Sequence, residues 1–324
     1  MSDSPRKPFT FPQVSLLPSG FLTLPEHFFC ADQQDKSIRN TVPSMSFLIH
    51  HPSPDFKLVF DLGMRRNLDE YPADIQPHLS TRLPIYTFPD ADESLRRGGL
   101  TPSSINAVIL SHVHYDHVGT PSDFENAYFI VGSGTQHLLQ HGMNYHSAAK
   151  FEKDLLPIGR VIELQGPWHP GSESDAGSAR PANPRLAQLV PGVSHDWKPF
   201  GPFENAIDLF GDGLILIVDS PGHLIGHTNL LVRVAEDQYV YLAGDACHHP
   251  RILDGLTEMS EWVENGMNVC IHMDKALAAE TVRKIRQIRN EGLEGVSKVE
   301  VILAHDGEWF DQHQDAIFPG YFTA

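Results

Sequence analysis

The sequence predicts an α+β chain in which two mixed or antiparallel β-sheets pack face to face and are covered by helices, an αββα sandwich. Three observations point there. Apolar runs come in pairs joined by turn residues, as in hairpins. Helical periodicity appears between them without a regular strand–helix–strand alternation. Four of the apolar runs end in histidine or aspartate: "VILSHVHYDH", "LIVDSPGH", "VYLAGDA" and "VILAHD".

Residues 1–40 mix Pro, Gly and short apolar pieces such as "GFLTLPEHFF" and read as an irregular lead-in with room for one strand. "SFLIHH" and "KLVFDLG", separated by "PSPD", predict a hairpin that sets Asp61 and Gly63 at a strand end. The stretch from Arg65 to Arg97 is polar and broken by prolines, and a short helix is expected before a strand over 107–111. "AYFIVGSGTQHLL" reads as strand, turn and helix start. Residues 166–200 are rich in Gly, Pro and Ser, with Trp168, Trp197 and Phe200 near the ends, and are a candidate substrate lid. "AIDLFGDGLILIVDSPGH" is a hairpin about Gly211 to Gly213, and "TNLLVRV" and "QYVYLAGDACHH" form another about "AEDQ". In "DKALAAETVRKIRQIRNEG", Ala276, Ala279, Val282, Ile285 and Ile288 share a helix face and Gly292 is the stop. "VEVILAHDGEWF" is the last buried strand. No repeat and no strong boundary divides the chain, which is expected as one domain over 1–324.

Composition narrows the function classes. The 324 residues include 24 Lys and Arg against 41 Asp and Glu, a formal charge of -17. Such a surface repels phosphate backbones and anionic lipid, so neither nucleic acid nor membrane is an expected partner. No apolar run approaches the ~20 residues of a bilayer span, and the first 15 residues lack a secretion signal, so a cytoplasmic protein is expected. The three cysteines are widely spaced without a CxxC pair, which argues against a disulfide framework and a thiolate zinc site. Histidine stands out, with 19 residues, several of them clustered.

Three histidines and an aspartate fall within residues 111–119, "SHVHYDHVG", directly after an apolar strand. Side chains alternate along an extended segment, so His112 and His114 point the same way and can share one ion, while Asp116 and His117 face a second position. Strand ends of one layer lie close in space, which allows His223, Asp245 and His305 to join them. Imidazole and carboxylate suit zinc, with iron, manganese or cobalt as weaker alternatives. Ser220 lacks the surrounding elbow of a serine hydrolase.

These stretches, with "FDLG" before them, resemble the metallo-β-lactamase superfamily, and most closely its acyl-homoserine-lactone lactonase-like branch, which includes fungal lactam and lactone hydrolases. The resemblance covers residues 60–306. It implies two Zn2+ ions: His112, His114 and His223 on one, Asp116, His117 and His305 on the other, and Asp245 bridging both. It implies a structural role for Asp61 and an outer, supporting role for His227. It also implies the opening of a small cyclic ester, lactam or cyclic carbamate by a hydroxide held between the metals, with no serine or cysteine nucleophile. Lactonase relatives often carry a tyrosine three residues after the bridging aspartate; this chain has His248 there. The catalytic candidates are therefore Asp116, His248 and Tyr115, with the last two as donors to the carbonyl oxygen or leaving atom. Alternatives are a glyoxalase-II-like thioesterase, for which the C-terminal segment lacks the basic residues to grip its substrate, and a non-catalytic metal-binding protein of the same fold. The oligomeric expectation is a monomer or homodimer.

Overall fold

Strands buried on both faces read as continuous apolar runs rather than alternating ones, and this explains "AVIL", "LILIV" and "NLLV". The computed structural model describes residues 10–52, 55–143, 147–166, 183–264 and 266–322. It contains strands β1 (Gln13–Pro25), β2 (Arg39–His51), β3 (Phe56–Phe60), β4 (Ala107–Ile109), β5 (Tyr128–Val131) and β6 (Val161–Glu163), followed by β7 (Lys198–Phe200), β8 (Phe203–Asp208), β9 (Ile215–Asp219), β10 (Thr228–Ala235), β11 (Gln238–Leu242), β12 (Trp262–Glu264), β13 (Met267–Val269) and β14 (Lys298–Ile302). The α-helices are α1 (Gln76–Ser80), α2 (Ala91–Arg97), α3 (Thr135–His141), α4 (Leu186–Leu189), α5 (Pro250–Asp254), α6 (Lys275–Glu291) and α7 (Gly307–Gln312).

The first sheet runs β1 to β6 in chain order, and the second has the order β14-β11-β10-β9-β8-β7. Both are mixed. In the first, β1, β2 and β3 are antiparallel while β3 to β6 are parallel. In the second, only the β11–β14 pair is parallel. The period-two alternation sorts each strand between layers. Phe47, Leu58, Ile109, Ile217, Leu230 and Leu242 point into the apolar layer between the sheets. Leu48, Val59 and Val108 face the opposite way, onto Leu95 of α2 and Leu138 of α3. On the second sheet's outer face, Leu231 and Tyr241 meet Val282, Ile285 and Ile288 of α6. The αββα sandwich follows from these three layers, and each fully buried Val, Leu or Ile contributes roughly 1.5–3 kcal/mol.

Several local expectations change. Of the described part of the lead-in, residues 13–25 form a long strand, paired with β2 through a register shift between Pro18 and Phe21. The run β3 to β6 does pass through helical crossovers, but α2 and α3 are only seven residues each, too short to display a helical period. On α6 the buried face is Ala278, Thr281, Val282, Ile285 and Ile288. Ala276 and Ala279 are exposed, because each step of three residues falls about 60° short of a full turn, so the series drifts off the buried face. The helix is capped by Asp274, which accepts from the Leu277 N–H at 2.9 Å. Gly292 ends the helix at φ 76° as expected. Trp197 is no lid residue: it is buried in the layer between the sheets and donates its indole N–H to the Gln165 carbonyl at 2.7 Å. Phe200 packs on Tyr239, and Trp168 lies outside the described residues. No helix of the described residues is long and apolar enough to cross a membrane.

Candidate metal centre

The sharp turn after β4 is built around Asp61. Its carboxylate accepts from the Ser111 N–H at 2.6 Å and the Ser111 hydroxyl at 2.7 Å, and it lies 2.9 Å from His117 Nδ1. Asp61 itself sits at φ 58°, a left-handed conformation that aspartate tolerates better than most residues. The turn closes with His117 N–H donating to the His114 carbonyl at 3.1 Å. Four side chains, His112, His114, Asp116 and His117, are thereby gathered from six consecutive positions.

The second sheet delivers the others singly, from loops at the ends of β9, β11 and β14. His223, Asp245 and His305 are all buried. The loop carrying His223 docks on the start of α6: Met273 and Asp274 donate their N–H groups to the His223 and Gly222 carbonyls, each at 2.9 Å. Gly222 has φ 121°, and a Cβ there would fall 2.2 Å from the Ala278 nitrogen, so the approach requires glycine.

Two donor sets result. His112 Nε2, His114 Nδ1 and His223 Nε2 form a triangle with sides of 2.9, 3.1 and 3.2 Å. A tetrahedral ion with Zn–N bonds of about 2.0–2.1 Å would hold its nitrogens about 3.3 Å apart, so the triangle fits such an ion. Asp116, His117 and His305 form the second set. Asp245 stands between them: Oδ2 is 3.5 Å from His223 Nε2 and 3.7 Å from His112 Nε2, while Oδ1 is 3.3 Å from both His117 Nε2 and His305 Nε2. One carboxylate thus presents one oxygen to each set.

The far sides of the rings decide which nitrogen faces the cluster. His117 Nδ1 is held by Asp61, and His305 Nδ1 donates to the Pro43 carbonyl at 2.8 Å, so in both rings Nε2 is the inward acceptor. His223 Nδ1 lies 3.2 Å from Nδ1 of His272, a buried ring that sequence reasoning missed. A lone histidine in "CIHMD" carries no spacing signal. His227 uses both nitrogens on backbone, Nδ1 on the Ser220 carbonyl at 2.8 Å and Nε2 on the Asp245 N–H at 3.2 Å, which leaves neither for an ion.

Electrostatics favour neutral imidazoles in the first set. Burial, followed by the neighbouring imidazoles, holds His112 and His223 well below the usual histidine range. Burial also lowers His227 to about 4. His117 goes up: burial opposes its charge, but Asp245 and Asp61 outweigh burial. Asp245 is held well below the usual carboxylate range, because the imidazoles around it overcome burial. The buried carboxylate and the imidazoles around it thus balance one another, and the same donor set suits divalent cations.

A narrow pocket opens over the cluster, lined by Leu24, Phe29, His78, Arg82, Tyr115 and Ile271 together with ligand-set side chains. Its volume is about 20 Å³, room for about one water. His248 lines it as well, and its side chain is only 5% exposed. Its Nε2 lies 3.0 Å from Asp245 Oδ2, its ring stacks on Phe29, and its Nδ1 is buried without a hydrogen-bond partner among the described residues. Tyr115 is buried too, and burial pushes its hydroxyl well above the usual range, which keeps it a donor.

Comparisons with known proteins match the chain to one family and fold. A family model described as the metallo-β-lactamase superfamily matches residues 39–291. A cytochrome P450 monooxygenase, mpaDE', of Penicillium brevicompactum is 27% identical over 90% of this chain and 33% of its own length. Gamma-lactamase FDB1 of Fusarium pseudograminearum is 28% identical over 64% of this chain and 45% of its own. The chain thus spans between a third and a half of these two relatives. Among solved structures, an N-acyl homoserine lactone hydrolase with its product, N-hexanoyl-L-homoserine, at the catalytic metal centre superposes with a TM-score of 0.61 at 17% identity, covering 97% of this chain and all of that one.

Proposed function

The chain belongs to the metallo-β-lactamase superfamily, and from that premise we propose that it is a dinuclear zinc hydrolase opening a small cyclic ester, lactam or cyclic carbamate. The observation that carries this reading is the division of Asp245, one oxygen toward His112 and His223 and the other toward His117 and His305. The gamma-lactamase and lactone hydrolase relatives support the ring substrate.

His112, His114 and His223 would hold one ion, Asp116, His117 and His305 the other, and Asp245 both. Bound ions of this kind lower the pKa of water to about 7 and polarise a carbonyl oxygen. The remaining work falls to the chain. Asp61, Pro43 and His272 fix which imidazole nitrogens face inward. Phe29, Leu24 and Ile271 exclude water from the pocket. The Tyr115 hydroxyl is a donor for the carbonyl oxygen. His248 sets Nε2 3.0 Å from Asp245 Oδ2, and as an imidazolium paired with that carboxylate it would give its Nδ1 proton to the heteroatom that leaves as the ring opens. A cytoplasmic enzyme acting as a monomer or homodimer completes the proposal.

The test is turnover of matched lactones, lactams, cyclic carbamates and open-chain thioesters by zinc-loaded protein, with a chelated control and metal content measured. Chelator-sensitive ring opening with two zinc per chain is expected; thioester cleavage alone, or no turnover, overturns the reading. His248→Ala should lower lactam turnover more than lactone turnover, since nitrogen needs a proton to leave and oxygen needs it less. Equal losses would remove His248 from that role.

A further inference from the structure

One wall of the pocket carries a charge that neither ring opening nor metal holding uses. Arg82 lines the same pocket as Asp116, Asp245, His248 and His305, and it is 6% exposed. Among the described residues no carboxylate forms an ion pair with its guanidinium. What lies against it is the face of Phe28, 5.8 Å from the guanidinium carbon, and the Tyr115 hydroxyl oxygen, which accepts a hydrogen bond from the guanidinium and so feels a positive charge that opposes the effect of burial. The two pocket carboxylates are already turned toward imidazoles, Asp245 to five rings and Asp116 to His305 at 3.6 Å.

Arg65 shows how this fold treats a buried arginine that is purely structural. Its guanidinium pairs with Glu152 at 2.8 Å and donates to the Gly119 carbonyl at 3.0 Å and the Glu70 carbonyl at 2.7 Å. A buried cation left without such an anion is costly, and Arg82 turns to the pocket where Arg65 turns to a carboxylate and carbonyls. Arg82 is also held in place. Its backbone N–H donates to the Leu79 carbonyl and its carbonyl accepts from the Thr23 N–H of β1, both at 2.9 Å. The guanidinium therefore meets a ligand from a fixed stem, and its planar fork matches a carboxylate.

We infer that Arg82 recognises an anion in this pocket, and that the ring substrate carries a carboxylate apart from the bond that is cut. The inference rests on the ring-hydrolase reading for the word substrate, but the anion subsite stands on Arg82 itself. It also fits the net charge of -17: the outer surface cannot attract an anionic substrate, so recognition must come at close range from a charge inside.

Calorimetric binding of glutarate and of its monoamide, glutaramate, to the zinc-loaded protein tests it. Both carry one carboxylate for the metals and differ only in whether the second end is charged. Wild type should prefer glutarate by about tenfold. Arg82→Gln should bind the two equally, and Arg82→Lys, which keeps the charge without the fork, should retain part of the preference. Metal content and melting temperature are followed for each variant. No preference in wild type, or the same preference in Arg82→Gln, overturns the inference. If Arg82→Gln does not fold, the wild-type ratio and its reduction in Arg82→Lys decide, an unreduced ratio in Arg82→Lys counting against it. Failure of ring turnover leaves this binding ratio untouched, so the two readings fail separately.

Discussion

The two sheets supply the centre in opposite ways. The first gives four side chains from residues 112–117, shaped by one turn that Asp61 braces from the adjacent strand end. The second gives His223, Asp245 and His305 one at a time, each placed by a different strand, with the His223 loop braced by the segment that starts α6. In the first half, ligand geometry is a local property of one loop. In the second it depends on how strands and a helix pack. A local turn is strong against distant mutations and weak at its single brace, whereas the dispersed set spreads its dependence over many contacts.

The largest effect should come where the two halves meet. Asp245→Asn keeps the volume but removes the charge shared by both sets. Metal content should fall from two toward one per chain and ring turnover by on the order of a thousandfold, ~4 kcal/mol. Full metal content with full turnover would break the comparison, since the halves would then hold their ions independently.

Next is Gly222→Ala, which forces a Cβ against the Ala278 backbone at a left-handed φ. A destabilisation of about 3 kcal/mol in thermal melts is expected, with loss of zinc from the first set. Gly119 is the matching position in the other half, at φ 43° with Leu62 Cβ 2.6 Å from the added atom. There the same change should disturb the Asp61 turn instead.

The smallest effects separate the two braces. Asp61→Asn weakens the hold on His117, and His272→Gln the hold on His223; each should lower affinity for one zinc about 10–100-fold, measured by competition with a chromophoric chelator. The sharpening result is that the two variants affect different ions of the pair. Loss of the same ion in both would mean that the halves are not separately braced.

What the sequence made legible follows the same division. Hairpins β2–β3, β8–β9 and β10–β11 and helix α6 were readable because turn residues and a long period mark them. Strand β1 hid behind Pro18, Ser19 and Gly20, which break its alternation at the register shift. A short helix before β4 and the start of α3 were legible, but helices this short show no period, so the parallel order of β3 to β6 stayed hidden. In the site, His112 to His117 announced themselves by spacing, and His223, Asp245 and His305 by ending apolar runs. His272 and Arg82 had no such signal. Their meaning comes from what they face, and one histidine or arginine in a helix-flanking loop looks like any other until the fold sets a neighbour beside it.

The wide separation of His112 from His305 along the chain also bears on how the protein is made. During synthesis the cluster of four emerges well before Asp245 and His305, so a nascent chain carries half a chelating set with no counter-surface to close it. An ion captured then would be held by the wrong number of ligands, and the second sheet would have to fold around it or expel it. If the centre holds metal as proposed, acquisition is best left until translation has delivered β14, so that the timing of metal supply, as much as its amount, would decide how much correctly assembled protein forms.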